Sequence, residues 1–377
     1  MILLLMMVTS FTFSQDGGIK KWIEKRKETK SERIAAGNSY LTPLVGPGYT
    51  PETGLLIAGG VLFTFKTNPK DSLIQRSSMP LTAFISTRGN IGLNGRLSSF
   101  WNEDRFRFNV VAKYSDADDD YFGVGSDAAE SVSKGEETTL YHRNTFIFSP
   151  HFLVRLFPNM YMGLLWNINK SKVTETNPLM AEDEYYQKFG PDNFNSGLGF
   201  SLGYDSRDIT VNAYKGFYGN ITGTFFGGYL GSDNNYNVYE VDLRSYHQVE
   251  RPGNIIALKL YGRFANGDVP YDELTRLGGG DALRGYVKGQ YRDKAGVYFI
   301  SEWRHMFLNR EQEVGKHGIA VWLGSGSMAS SIDQIKDWIP NLGVGYRLEV
   351  QPRMNLRIDF GLGKDSSGLY FNFSEAF

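Results

Sequence analysis

The feature that most constrains this chain is an alternation of apolar and polar side chains, sustained over segments of about ten residues. In the clearest segment, every even position from Leu342 to Val350 is bulky and apolar, while the odd positions carry glycines or polar and charged side chains. Successive side chains of a strand point to opposite faces, so this pattern predicts a strand with one apolar and one polar face. Strands of soluble proteins average about 5–6 residues, so the length favours strands that cross a membrane.

A soluble β-sandwich also alternates, but the placement of charges weighs against it. Arg347, Glu349, Arg357 and Asp359 lie close together on one predicted face, an arrangement that a water-filled lumen tolerates. Aromatic side chains also cluster near segment ends, where a membrane interface would place them. We therefore predict an all-β fold, a transmembrane antiparallel β-barrel formed by residues 54–377.

The alternation allows fifteen strands to be placed, the first at 54–66 and the last at 368–376. Bacterial barrels normally have an even number of strands, so one strand is missing or merged. We expect the missing or merged strand to lie in 116–136 or 138–156. The pattern breaks between Ala265 and Lys294, and a connection of that length is usually functional or disordered.

The first residues indicate export. Residues 1–15 contain an apolar run without charge, too short for a membrane helix, and are predicted to be a signal peptide. Residues 16–53 begin with a highly charged stretch and continue into a region rich in proline and glycine. We predict that they form a short periplasmic arm ahead of the barrel.

Composition excludes several classes of site. The net charge of −1 lacks the basic excess typical of nucleic-acid binding, and the absence of cysteine removes thiolate metal sites and cysteine nucleophiles. The five histidines are scattered, and His142 shares a face with Asn144 without a serine beside them. Asp116 and Asp118–Asp120 form a calcium-like cluster that lacks the EF-hand spacing, so a solvated loop is favoured. We expect no catalytic residues, no metal and no cofactor.

Five motifs in order resemble the BamA/TamA (outer-membrane protein 85) superfamily. LGGGDALRGY contains Arg284, Gly285 and Tyr286 and resembles that family's (V/I)RG(F/Y) loop. The other four motifs are Gly197–Asp208 followed by Lys215–Phe217, Ile300–Phe307, Leu342–Gly363, and the final LYFNFSEAF ending at Phe377. The resemblance implies about sixteen strands and a long loop folded into the lumen before the last five strands.

The resemblance also implies a role for Arg284, whose counterpart in the family contacts acidic residues on the barrel wall. By strand parity, Glu302 and Asp359 should point inward, and we predict them to be its partners, with Glu302 the chief one. Gly324 stands where the family usually has an acidic residue, which removes one expected partner. The family's POTRA domains are also expected to be absent, because 16–53 is shorter than the about 50 residues of a small domain.

The function implied by the resemblance is insertion, assembly or translocation of outer-membrane proteins, in which a weak seam joins the first and last strands. We predict a lateral seam marked by Gly54, Lys66, Gly368 and Phe377. Expected partners are outer-membrane lipids, nascent outer-membrane proteins or a barrel-assembly complex. The alternative is a pore-forming or structural barrel without clients, and the oligomeric state stays open.

Overall fold

The computed structural model describes residues 36–50, 53–71, 74–135, 137–351 and 353–377. The predicted signal peptide and the first part of the predicted arm lie outside these ranges. Eighteen strands are present in the described chain, and three short α-helices lie in its connections: α1 (Ser126–Ser131), α2 (Pro178–Glu182) and α3 (Glu184–Phe189). The strands are β1 (Tyr40–Thr50), β2 (Gly54–Phe65), β3 (Ser77–Ser86), β4 (Ile91–Trp101), β5 (Phe106–Asp120), β6 (Leu140–Phe157), β7 (Met160–Glu175), β8 (Asp192–Asp205), β9 (Gly216–Phe226), β10 (Tyr236–Gln248), β11 (Asn254–Gly267), β12 (Thr275–Leu277), β13 (Tyr291–Asp293), β14 (Ala295–Leu308), β15 (Val314–Ala329), β16 (Ile339–Gln351), β17 (Met354–Leu362) and β18 (Ser367–Phe373).

Sixteen of these strands close into one antiparallel barrel, which confirms the predicted fold class. Each barrel strand pairs with its neighbours in sequence, except that β11 pairs directly with β14 and that β1 pairs with β18 to close the ring. The short strands β12 and β13 form a separate hairpin in the connection between them. No helix of the described ranges is long and apolar enough to cross a membrane.

The barrel wall separates an apolar outer surface from a polar interior. Val344 is 51% exposed, whereas Gly345 and Arg347, on the opposite face of β16, are buried. The same contrast is found at Leu342, which is exposed, and at Asp359 and Arg357, which are buried. The predicted inward direction of the charged face is therefore confirmed.

The missing strand is β1, and the prediction that residues 40–50 belong to an arm was wrong. β1 is in register with β2 along its whole length, from Tyr40 opposite Thr64 to Thr50 opposite Gly54. The prediction of an error in 116–136 or 138–156 was also wrong, since β5 and β6 are one continuous strand each. Pro43 and Pro47 made the segment read as a turn region, but proline is tolerated in strands at a sheet edge.

Two segments cross the near mouth of the barrel, the mouth at which β1 begins and β18 ends. They are the β8–β9 connection and the residues that follow β18. The β8–β9 connection, 206–215, reaches the β16–β17 turn, where Arg353 Nη2 donates to Asp208 Oδ2 at 2.6 Å and Arg353 Nε donates to the Asn212 carbonyl at 3.0 Å. Ala213 of this connection packs in the same buried cluster as Phe377. We call residues 206–215 the strap.

The far mouth carries the longer connections. In one of them, Glu130 of α1 pairs with Lys364 of the β17–β18 turn at 3.1 Å. The connection from β11 to β14, residues 268–294, enters the barrel and is called the lumen loop. Its Tyr271 is buried in a cluster with Tyr121 and Tyr141 of the β5–β6 region.

Candidate functional site

Glycines allow the lumen loop to lie directly against the barrel wall. Gly278, Gly279 and Gly285 have φ of 99°, 90° and 121°, values that side-chain-bearing residues rarely adopt. A Cβ on Gly285 would lie 2.8 Å from the backbone nitrogen of Leu362. On the wall, a Cβ on Gly361 would lie 2.2 Å from the Arg284 carbonyl oxygen. The two backbones therefore touch where the RGY motif meets β17.

This contact places Arg284 at the centre of a buried charge cluster. Arg284 is fully buried, and its Nη1 donates to Asp359 Oδ2 at 2.7 Å while its Nη2 donates to Glu302 Oε2. The structure thus brings together the three residues that the sequence analysis grouped. The guanidinium bridges β14 and β17, with one acid on each strand, so neither acid is the single chief partner.

Three further arginines complete the cluster around these acids. Arg304 Nε donates to Glu302 Oε1 at 2.7 Å, and Arg347 Nη1 donates to Asp359 Oδ1 at 2.6 Å. Arg357 Nη1 donates to Asp359 Oδ2 at 3.0 Å and to the Gly280 carbonyl of the lumen loop at 2.9 Å. Hydrogen-bonded ion pairs of this kind offset part of the cost of removing water from buried charges.

The segment after β18 supplies another acid to the cluster. Glu375 accepts from Arg347 Nε at 2.9 Å and from Asn355 Nδ2 at 2.7 Å. The turn inward occurs at Ser374, where φ is 67°. Phe377 is buried, its carbonyl accepts from Arg304 Nη2 at 3.0 Å, and its ring lies beside Lys259. The prediction of a strand to residue 376 with Phe377 at the seam was therefore wrong.

Trp322 explains how the loop is held without the acid that Gly324 replaces. The Arg284 guanidinium lies 3.5 Å from the Trp322 ring centroid, a cation–π contact with the face of the indole. The Trp322 Nε1 donates to Asn341 Oδ1 at 3.0 Å, and Asn341 Nδ2 donates to the Arg284 carbonyl. Sequence reasoning missed both residues, although their inward parity was readable from the alternation.

Tyr286, two residues after Arg284, binds the lumen loop to the barrel wall. Its hydroxyl donates to the Pro340 carbonyl at 2.7 Å and accepts from the Lys364 backbone N–H at 2.7 Å. Tyr370 of β18 adds a second fastening, because its hydroxyl accepts from the Gly285 N–H at 3.0 Å. The RGY motif is thus tied to β16, β17 and β18 together.

The seam between the first and last barrel strands is short. β1 and β18 have one residue pair in register, Tyr49 opposite Phe371. By that register, Pro47 would lie opposite Phe373, the last residue of β18. On the seam side, therefore, no strand of the described chain pairs with the start of β1 at Tyr40, which is paired with β2 on its other side. β18 stops at Phe373 because the chain turns inward.

The predicted seam residues are placed differently. Gly54 begins β2, whose two neighbours are β1 and β3, so β2 does not border the seam. Lys66 lies just beyond β2, where its Nζ donates to the Asp71 carbonyl at 2.6 Å. Gly368 does lie on β18, opposite Gly361 of β17. The correction follows from β1, the strand that the sequence analysis read as an arm.

The aspartates of the calcium-like cluster lie on both faces of one strand, because β5 continues to Asp120. Asp116 and Asp118 flank His142 at 2.6 and 2.8 Å, whereas Asp119 pairs with Arg143 at 2.6 Å. Alternation along the strand sends adjacent carboxylates to opposite faces of the wall. The four aspartates therefore do not converge on a common ion position.

The comparisons with known proteins agree with this geometry. The chain is similar to BamA from Haemophilus ducreyi lacking POTRA domains 1-3, with a TM-score of 0.60 and 16% identity over 89% of this chain and 70% of that one. It is also similar to CdiB from Acinetobacter baumannii (TM-score 0.52, 14% identity) and CdiB from Escherichia coli (TM-score 0.58, 11% identity). Each CdiB match covers 89% of this chain, which spans 60% and 62% of the two CdiB chains.

No curated protein sequence matches the chain. The sequence model of the Omp85 superfamily domain matches residues 86–377, which contain fourteen of the sixteen barrel strands in whole or in part. This match includes the lumen loop and every member of the buried charge cluster, and it shows that the chain belongs to the Omp85 superfamily.

Proposed function

We propose that this protein is an outer-membrane barrel that assists the insertion, assembly or translocation of other outer-membrane proteins through its β1–β18 seam. The observation that carries the proposal is the single registered pair between these strands. An exposed strand edge can template an incoming strand. Pro43 and Pro47 lack the N–H that a ladder requires, so pairing at β1 is weak and can be exchanged.

The location in a membrane is supported by the outer surface. Exposed apolar side chains follow the outer face of strands around the ring, including Leu41 at 62%, Ile57 at 66% and Phe200 at 61%. A continuous apolar surface of this size requires a nonpolar surrounding. Because this wall is a closed ring, lipid satisfies that requirement without further partner chains.

Substitutions on the two faces of β16 test this location. Arginine on the lipid face of a barrel costs about 2–4 kcal/mol at the bilayer midplane. Val344→Arg should therefore reduce the heat-modifiable folded form in membranes far more than Glu349→Arg, which lies on the inward face. Equal yields of folded barrel for both variants would contradict a membrane location.

A disulfide across the seam tests the function. The chain has no cysteine, so Tyr49→Cys/Phe371→Cys introduces a single defined pair at the registered position. Opposed residues of antiparallel strands lie within the Cα range of a disulfide. The matched control, Tyr49→Cys/Leu55→Cys, links β1 to β2 instead.

The measurement is the folding rate of an eight-stranded outer-membrane barrel, used as the probe, into vesicles that contain each variant. We expect the acceleration of probe folding by the oxidised seam variant to be at least tenfold smaller than that by the wild type. Reduction of the disulfide should restore it. The control should accelerate folding in both states. If the oxidised seam variant is as active as the control, the seam does not act on clients.

The rival function, a pore without clients, also has a supporting observation. The inward side chains of Asn94, Arg96 and Lys113 are exposed, so this part of the lumen admits water. The strap and the segment after β18 cross the near mouth, however, so they obstruct part of any path for ions. A pore would keep its conductance when the seam is locked, and it would not accelerate the probe in any state.

A further inference from the structure

A proline in a barrel strand interrupts pairing only on the side to which its missing N–H would point, and two strands of this barrel show it. Pro80 of β3 is in register with Leu62 of β2, but the β3–β4 register has no pair at this position. Pro150 of β6 is in register with Val110 of β5, but the β6–β7 register has no pair there. An unbroken register on one side of a proline therefore indicates that its nitrogen faces the other side.

The nitrogens of Pro43 and Pro47 face the seam by this criterion. The register of β1 with β2 continues without a break through both prolines. A hydrogen bond on β9, which runs in the same direction as β1, gives the same orientation. The carbonyl of its outward-facing Phe217 accepts from the Ser206 N–H, at the end of the preceding strand β8, at 2.8 Å. The outward-facing residues of β1, which include both prolines, therefore direct their backbone groups toward β18.

The seam edge of β1 consequently accepts more hydrogen bonds than it donates. Leu41, Val45 and Tyr49 share the outward orientation, and each brings one N–H and one carbonyl to this edge. Pro43 and Pro47 bring a carbonyl alone. A strand that pairs here meets an acceptor at every second residue but a donor only at every fourth.

The two prolines lie opposite different parts of the chain. The register of the seam places Pro47 opposite Phe373, whose carbonyl receives no bond from the proline. The same register would place Pro43 opposite Phe377, but Phe377 is buried in the lumen. Pro43 therefore lies on a stretch of edge with which β18 does not pair, whereas Pro47 lies where β18 ends.

We propose that Pro47 limits how far β18 closes on β1 and that Pro43 limits how long a client strand stays there. This inference rests on the proposed function of the seam. A client carbonyl opposite Pro43 loses water without gaining a donor, and this cost favours release of the strand. Together the two prolines make this edge one that takes up a strand and gives it up again.

A second copy of the chain fits this edge poorly. Two symmetric copies of β1 paired antiparallel about Val45 would place Pro43 of each copy opposite Pro47 of the other. Those pairs would contain no backbone donor at all. The fitting partner is therefore a strand of another outer-membrane protein with an N–H at every second position.

The role of Pro47 is tested without a client. Pro47→Ala supplies the missing donor to Phe373 and should hold the seam closed for longer. Hydrogen exchange of the Tyr49 amide, followed by NMR of the full-length barrel in detergent, should slow about fivefold or more. Pro43→Ala should leave this rate unchanged. The matched control, Pro80→Ala, adds a donor to the β3–β4 pairing away from the seam and should also leave it unchanged.

The role of Pro43 is tested with the eight-stranded barrel already used as the probe. The lifetime of its complex with each variant in vesicles is followed by energy transfer between dyes on the two proteins. Pro43→Ala should lengthen this lifetime about fivefold or more, because one further hydrogen bond holds the client. Pro47→Ala should instead slow formation of the complex, and Pro80→Ala should behave as the wild type does.

Three outcomes overturn the proposal. Equal exchange of the Tyr49 amide in Pro47→Ala and Pro80→Ala would refute the role of Pro47. A wild-type lifetime of the probe complex in Pro43→Ala would refute the role of Pro43. Dimers of Pro43→Ala/Pro47→Ala with an unchanged probe lifetime would show that the prolines guard against self-pairing instead. A wild type that binds no probe refutes the proposed function and the role of Pro43 together, while the amide exchange still decides the role of Pro47.

Discussion

The two sides of this lumen share the same alternation of inward and outward side chains, but the inward side chains are buried on one side and exposed on the other. On the filled side, β14–β17, the inward residues Glu302, Arg304, Arg347 and Asp359 are buried beneath the lumen loop. On the wet side, β2–β5, inward residues such as Arg96 stay exposed. Strand parity fixes the direction of a side chain on both sides. An inward charged side chain is buried, and contributes to stability, only where a segment with matching charges covers it.

The largest expected difference between the two sides comes from removing an arginine. Arg284→Ala leaves Glu302 and Asp359 buried without one of their partners, which costs roughly 3–5 kcal/mol. Arg96→Ala, on the wet side, should change the free energy of unfolding by less than about 0.5 kcal/mol. Denaturant unfolding of both variants in detergent measures the two values.

Proteolysis sharpens the same comparison. Arg284→Ala should make the lumen loop, 268–294, sensitive to protease, and Arg284→Lys should restore little protection because lysine lacks the planar fork. Similar unfolding energies for the Arg284 and Arg96 variants, with the loop still protected in both, would show that the cluster does not anchor the loop.

The next effect comes from adding one methyl group. A Cβ at Gly361 would meet the Arg284 carbonyl at 2.2 Å, whereas a Cβ at Gly59 of β2 has no heavy atom within 4 Å. Gly361→Ala should destabilise the barrel by about 1–3 kcal/mol through overpacking. Gly59→Ala should be neutral or slightly stabilising. A neutral Gly361→Ala in the same unfolding assay would mean that the loop backbone yields easily.

A smaller effect is expected from a single hydroxyl. Tyr286→Phe removes the donor to Pro340 and the acceptor for Lys364, which should cost about 1 kcal/mol because buried polar groups lose their partners. The wet-side control is Thr82→Val, whose hydroxyl has one long hydrogen bond at 3.4 Å to the Asn94 carbonyl. We expect no measurable loss for the control, and equal losses would contradict the distinction between the sides.

The smallest effect concerns the strap, which ties the β8–β9 connection to the filled side. Burial raises the pKa of Asp208, but hydrogen bonds from the Tyr214 N–H and from Arg353 lower it more, so the pKa lies below its ordinary value of 3.8. A lowered pKa means that the carboxylate stabilises the bound strap above about pH 4 and that this contribution is lost as the pH falls through the folded-state pKa.

A spin label at Thr210→Cys can follow this change. Its mobility should rise as the pH falls from 4 toward 2, and the added Asp208→Asn substitution should abolish the pH dependence. A label whose mobility follows the same pH profile with and without Asp208 would show that the strap is held by other contacts.

Much of the filled side could be predicted from sequence, since parity and one loop motif placed Arg284, Glu302 and Asp359 together. The position of Glu375 could not be predicted, because it reaches its partner Arg347 only through the inward turn of the chain at Ser374, and no local sequence pattern indicates that turn. β1 was missed for the opposite reason, since Pro43 is a strong local signal for a turn. Its strand conformation depends on pairing with β2, a tertiary contact that local propensity does not contain.

The buried charges of the lumen loop also constrain the order in which the barrel can form. Arg284 is 18 residues from Glu302 and 75 from Asp359 along the chain, whereas Tyr49 and Phe371 lie near opposite ends of the described sequence. Contacts between distant segments carry a larger loop-closure entropy and form later. We therefore expect the last third of the chain to assemble around the loop first, with closure of the ring at β1 and β18 as the final event.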